Sequence, residues 1–310
     1  MKNILVCLGL LVFLSGTTSQ EIQAQTPVTE PPVNQPSTPI DGAFKRTEAS
    51  GPIDGAFTRT DLFKRKPTPL PYVREADVMW SKKVWRIIDL REKMNQPMYF
   101  PTKEVEGKNN LVNLLLLGIK DSRLTAYDAK NDDEFKVPMS FNQVKDAFGA
   151  SAKKRQVRNV DTGEMQEETV VGEIRSEEIK QIMLKEEWYF DKQNSTLNVR
   201  IIGICPIREY FRDDDVKQET ALRQQMFWIY YPEARELMAA NEVFNTENTA
   251  RNSSYDDLFL KRIFTSYILK ESNIYNNREI SQYLSGKDAM LESKRIESDI
   301  FDYEQNLWEY

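Results

Sequence analysis

A change of composition at Pro71 constrains this chain more than any motif does. Nine of its fourteen prolines lie between Thr26 and Pro71, and none of its five tryptophans does. Such a stretch buries too little apolar surface to offset the entropy of ordering it, so residues 25–71 are expected to form an extended or disordered arm. The 240 residues from 71 to 310 are then left to build the fold. A chain of that size buries roughly 70–75% of its unfolded surface and needs no covalent staple.

Ahead of the arm, Lys2 precedes an apolar run at residues 4–14. The run is too short to cross ~30 Å of hydrocarbon as a helix and reads as a secretory leader. Cleavage is expected after Ala24, with Ile22 and Ala24 at the recognition positions; Ser19 is the weaker alternative. The expected organisation is a leader over 1–24, the arm over 25–71 and a folded domain over 72–310. Cys7 sits inside the apolar run rather than behind it, so it does not read as a lipid anchor. Removal of the leader leaves Cys205 as the lone thiol, and hence no internal disulfide. Its neighbours Ile201, Ile202, Gly203 and Ile204 read as a buried strand, in which cysteine acts as a small hydrophobe.

Composition also narrows the chemistry. Histidine is absent, which removes His-based triads, His-containing zinc sites and an imidazole general base. Two cysteines cannot supply a Cys-rich metal site. A net charge of −6 and a pI near 5.2 argue against a nucleic-acid backbone or an anionic bilayer as the main partner. The acidic runs Asp213-Asp214-Asp215 and Asp132-Asp133-Glu134 lack the ligand spacing and central glycine of a calcium loop. No nucleophile elbow, phosphate loop or dinucleotide fingerprint occurs. The reading is of a protein that is not an enzyme and takes neither cofactor nor metal.

Within the arm, Pro39-Ile40-Asp41-Gly42-Ala43-Phe44 recurs thirteen residues later as Pro52-Ile53-Asp54-Gly55-Ala56-Phe57. Arg46-Thr47 and Arg59-Thr60 follow the two copies. One reading is a tandem duplication in a tolerant linker. The other is a pair of docking peptides, in which Asp-Gly turns the chain while Ile40 and Phe44, or Ile53 and Phe57, offer apolar anchors.

In the folded part, Trp80, Val84, Ile87, Ile88 and Met94 predict a helix over 75–94, stopped at Gln96-Pro97. A buried helix is expected over 111–119, and short strands over 124–127 and 135–139. Ser140 and Gln143 form a capping box for a helix ending near Gly149. Residues 151–172 are polar and aperiodic and read as a long loop. Strands over 187–191 and 197–207 make a hairpin, and 225–231 a third strand. The run 199–204 is expected to be a central strand covered on both faces, or at least a well-protected one. Pro232 opens a helix to Ala240, Ser254 and Asp257 cap a helix over 255–270, and Ile296, Ile300, Tyr303 and Leu307 stripe a last helix over 288–308. The fold class is α+β, a small, mostly antiparallel sheet with flanking helices and an extended N-terminal arm.

Several long segments together resemble the gliding-motility GldN/PorN family of type IX secretion. They include Val78 to Pro97, Trp188-Tyr189-Phe190-Asp191-Lys192-Gln193, Phe227-Trp228-Ile229-Tyr230-Tyr231-Pro232-Glu233-Ala234-Arg235, Tyr255-Asp256-Asp257-Leu258-Phe259 and the ending Leu307-Trp308-Glu309-Tyr310. The resemblance runs from Asp77 to the C-terminus and leaves out the doubled Ile-Asp-Gly-Ala-Phe segment. It implies a periplasmic, non-enzymatic subunit that forms a ring with the outer-membrane lipoprotein GldK/PorK and touches the periplasmic part of the motor protein GldM/PorM. It implies no catalytic residues. The competing reading is a free periplasmic module that binds a small ligand or peptide in a deep apolar pocket.

Overall fold

The computed structural model describes residues 65–310 apart from 106, 131–132, 151–152, 159–164, 171–173, 212–220, 245–252 and 309–310. In chain order the elements are β1 (Val78–Asp89), α1 (Gln96–Tyr99), α2 (Leu111–Lys120), β2 (Ala126–Asp128), β3 (Pro138–Met139) and α3 (Phe141–Ala147). Next come β4 (Lys153–Arg158), β5 (Met165–Val170), β6 (Ile179–Asp191), β7 (Thr196–Tyr210), β8 (Leu222–Gln225) and β9 (Phe227–Tyr230). The chain ends with α4 (Tyr231–Ala239), α5 (Tyr255–Leu260), β10 (Tyr267–Glu271) and α6 (Gly286–Trp308). The main sheet has the order β10-β1-β6-β7-β9-β2-β3, with β8 also on β7, and every pair in it is antiparallel. The α+β class is as expected, and the sheet, at eight strands, is larger than expected.

The first expected helix is instead β1. Trp80, Val84 and Ile88 satisfy a period of two as well as a period near four, and β1 is paired on both sides, by β6 and β10. Its β-branched and aromatic residues suit that pleated setting. The helix expected over 255–270 stops at Leu260, Arg262 turns through φ +52°, and the chain re-enters the sheet as β10. Asn95 fixes that turn: its amide donates to Thr265 O at 3.0 Å and its Oδ1 accepts from Thr265 N at 2.9 Å. The expected loop at 151–172 contains a separate hairpin of β4 and β5, in register from Lys153↔Val170 to Arg158↔Met165. Backbone pairing needs no apolar period, so this hairpin leaves no mark in the hydropathy pattern. The third strand breaks at Met226, whose N–H donates to Pro206 O at 3.0 Å, leaving β8 and β9 on either side.

The capping boxes at Ser140–Gln143 and Ser254–Asp257 both form. Helices α2, α4 and α6 fall where expected, and Cys205 is fully buried. Strand β7 is covered only over its second half: Gly203 to Ile207 are buried, whereas 197–202 are half-buried. The reason is pairing, because β9 begins at Gly203 and β8 at Ile207, and 197–202 have β6 alone as a strand neighbour among the described residues.

Alternation along β1 divides the core. Val84 packs with Ile268, Ile280, Ile296 and Ile300 beneath α6, and Trp80 stacks on Tyr303 with ring centroids 4.6 Å apart. Trp85 and Ile87, on the opposite face, pack with Met183, Cys205, Ile207 and Trp228, with Phe135 closing over them. Edge strand β10 is blunted by α6, whose Ser293 hydroxyl accepts from Ile268 N at 2.8 Å. At the other edge β3 is two residues long and carries Pro138. Gly203 is where backbone and ring approach most closely: a Cβ there would stand 2.5 Å from Phe135 Cζ and 3.2 Å from Trp228 Cε3. Gly203→Ala is therefore expected to cost about 1–3 kcal/mol by overpacking, read as a lower denaturation midpoint at unchanged slope. An unchanged midpoint would show that Phe135 swings away freely.

Candidate functional site

The end of the proline-rich arm is seated on the domain by three arginines. Arg65 forms a two-pronged pair with Asp257, at 2.7 and 2.9 Å. Three residues on, Thr68 O accepts from Arg235 Nη2 at 2.6 Å. Three further, Pro71 O accepts from the Arg200 guanidinium. Pro67, Pro69 and Pro71 have no N–H to donate, so the segment offers its carbonyls as acceptors, and two of its carbonyls take arginine donors.

These anchors come from separate elements. Arg235 lies on α4 and is held from below by Asp256, at the first turn of α5, through bonds of 2.9 and 3.1 Å. Tyr231 donates to the same carboxylate at 3.3 Å. Arg235 and Asp256 are 7% and 3% exposed, so this is a buried ion pair whose remaining guanidinium edge grips the arm. Burial opposes the charge on Arg235, but its bonds to Asp256 keep its pKa raised. Burial also pushes the Tyr231 hydroxyl up, which keeps it a donor. Asp257 is opposed by burial in the same way, yet the bond from Arg65 and those from Ser254 hold its carboxyl below the usual range. One aspartate thus caps α5 and fixes the arm.

Beyond Pro71 the chain enters an open cleft of about 290 Å3 lined by Val73, Glu75, Val78, Ser81, Glu187, Tyr189 and Arg200. The ends of β1, β6 and β7 project here as a three-stranded ribbon. Ser81 stands opposite Tyr189, and Glu187 opposite Arg200, on one face. The other face of the ribbon carries Trp80, Trp188 and Leu197, packed toward α6. The Arg200 guanidinium lies 5.6 Å from the centre of the Tyr189 ring. Glu75 and Glu187 have no ion pair among the described residues.

Among the described residues no group of three or more Cys, Asp or Glu side chains could hold a metal ion. Burial drives the Cys205 thiol far above its ordinary pKa, so it stays protonated and inert. The docking residues expected from sequence, Ile40, Phe44, Ile53 and Phe57, lie outside the described residues, as do Cys7 and the run Asp213-Asp214-Asp215. Sequence reading missed the arginine seat. It took Asp257 as a helix-capping residue and Asp256 and Arg235 as parts of a longer resemblance; a buried arginine carries no signal in the hydropathy pattern.

The family model described as gliding motility associated protein GldN matches residues 73–309. The match begins at the mouth of the cleft and takes in the whole sheet and all six helices. None of the curated proteins compared with the chain matches it.

Proposed function

We propose, since this chain belongs to the GldN family of gliding-motility-associated proteins, that it is a structural subunit of the type IX secretion and gliding machinery. In this reading the chain is exported to the periplasm by its leader and catalyses nothing. It builds a ring with the outer-membrane lipoprotein GldK/PorK, which holds it at that membrane, and it contacts the periplasmic part of the motor protein GldM/PorM.

The observation that carries the reading is the family match over residues 73–309, nearly the whole folded domain. The arginine seat supports it physically. A buried ion pair spent on gripping the backbone of a proline-rich arm sets the direction in which that arm leaves the domain. An arm launched from a fixed point suits a subunit gripped by its neighbours. The cleft at Val73 is open rather than deep and, at about 290 Å3, lies at the bottom of the range for small-molecule pockets, which does not favour it as the pocket of a free ligand-binding module.

The test is coexpression with the lipoprotein. The full chain is expected to copurify with it as a ring, and a chain lacking residues 26–66 to lose copurification. Undiminished copurification and ring formation by the deleted chain would refute the role given to the arm. A stable lone monomer that ignores the lipoprotein would refute the subunit reading itself.

A further inference from the structure

We infer that the cleft at Val73 is the seat for residues 53–59 of a neighbouring copy of this chain. The inference rests on the reading that copies associate. It names the surface and the peptide that join them.

The charge patterns are complementary. The cleft offers an apolar floor of Val73, Val78 and Tyr189, two carboxylates at Glu75 and Glu187, and the guanidinium of Arg200 at one side. Lys83 stands opposite Glu187 in the β1–β6 register without an ion pair to it, so the carboxylate is open to an incoming cation. The peptide Ile53-Asp54-Gly55-Ala56-Phe57-Thr58-Arg59 carries the opposite pattern: two apolar anchors, a carboxylate beside the first and a guanidinium two residues beyond the second. Phe57 lies on the floor, Arg59 reaches Glu75 and Glu187, and Asp54 faces Arg200, which has donors to spare beyond its bond to Pro71 O. A volume of about 290 Å3 accommodates an anchor side chain or two.

The path of the arm decides whose peptide it is. Going back from Val73, the chain runs past Arg200 at Pro71, Arg235 at Thr68 and Asp257 at Arg65. Val73 lies eight residues after Arg65, at most about 29 Å of extended chain. The described path thus reaches the cleft from the Asp257 side, and a peptide of the same chain would have to double back along it to enter. Cleft and arm exit are different patches of one surface, so a head-to-tail contact of this kind would propagate from copy to copy, as a ring requires, whereas a reciprocal exchange of arms would close a dimer. The duplicate at residues 40–46 shares Ile-Asp-Gly-Ala-Phe and the arginine two residues beyond the phenylalanine, with Lys45 where the second copy has Thr58.

Two measurements on the full chain test this. In the first, a fluorescent synthetic peptide of residues 52–60 is titrated into dilute protein. Saturable binding is expected, weakened about tenfold by Glu75→Lys with Glu187→Lys and weakened by salt. Binding that ignores both substitutions, or no binding, overturns the inference. In the second, Ser81→Cys and Thr58→Cys are placed in separate chains that both carry Cys7→Ser; buried Cys205 is left in place. On mixing and mild oxidation the expected product is the mixed disulfide dimer, in excess over either homodimer. A doubly substituted chain that closes on itself as a monomer assigns the cleft to its own arm and overturns the neighbour. Assembly seen by sedimentation with no mixed disulfide sinks the docking and leaves the subunit reading standing, whereas peptide binding without assembly does the reverse.

Discussion

Glu186→Ala is expected to destabilise the fold by about 3–5 kcal/mol, the cost of stranding a buried charge. Glu186 is fully buried at the centre of β6 and is the acceptor on which three donors converge. Arg262 reaches it through two nitrogens at 2.8 and 3.3 Å, and Trp188 Nε1 donates at 3.1 Å. Arg86 Nε lies 3.2 Å away without hydrogen-bond alignment, so that contact is one of charge. Arg86 is itself only 4% exposed, and its other partner is Glu297 on α6, at 2.9 Å. Both arginines also lie over the Trp188 ring, at 5.8 and 5.3 Å from its centre. Removing the carboxylate leaves Arg86 in low dielectric with the half-exposed Glu297 and a long bond of 3.5 Å to the Ser266 hydroxyl. The measurement is the denaturant midpoint of the single variant beside Arg86→Met with Glu186→Leu. The double variant, which removes both charges, should lose less than the single one. A single variant that loses under about 1 kcal/mol would mean that water reaches Arg86.

Asp256→Ala should act on the same scale and, in addition, free the arm. The carboxylate holds Arg235 and accepts from Tyr231, all three inside the α4–α5 junction. Its loss leaves a guanidinium buried with only Thr68 O as partner, again about 3–5 kcal/mol. Arg235 would then turn toward solvent and release Thr68, so cleavage after Arg65 by a trypsin-like protease should quicken together with the fall in stability. Asp257→Asn provides the contrast. Arg65 is more than a third exposed, so that pair contributes about 0.2–1 kcal/mol, and the variant should loosen the arm with little change in midpoint. Equal protease rates in Asp256→Ala and the parent chain would show that the arm is held elsewhere.

The elements legible in the sequence are those whose signal is local. Ser140 with Gln143 and Ser254 with Asp257 announce their helix starts because a capping box is closed within four residues. The β6–β7 hairpin shows in its aromatic and β-branched runs, and α6 in the spacing of Ile296 and Ile300, both buried. Apart from the β4–β5 hairpin, which has no apolar period, the errors fall where an apolar pattern fits two periods. Trp80, Val84 and Ile88 line one face of a helix or one face of a strand equally well, and the partner strands that decide, β6 and β10, lie about a hundred and about a hundred and eighty residues further on. The same holds for 261–270, where the capping box was right about how α5 begins and silent about where it ends.

For the candidate site the division is sharper. Arg65, Arg200, Arg235 and Asp256 are four charged residues among ninety, with nothing in their sequence surroundings to tell a buried anchor from a solvated face. Composition determined that the chain needs no disulfide, that it lacks every histidine-dependent chemistry, and that its proline-rich stretch cannot make a core. Those are sums over residues, insensitive to where each one lies. Tertiary structure alone decided that β1 is a strand, that Glu186 gathers two arginines, and that the arm ends in an arginine seat, because each depends on desolvation by residues brought together from distant parts of the chain.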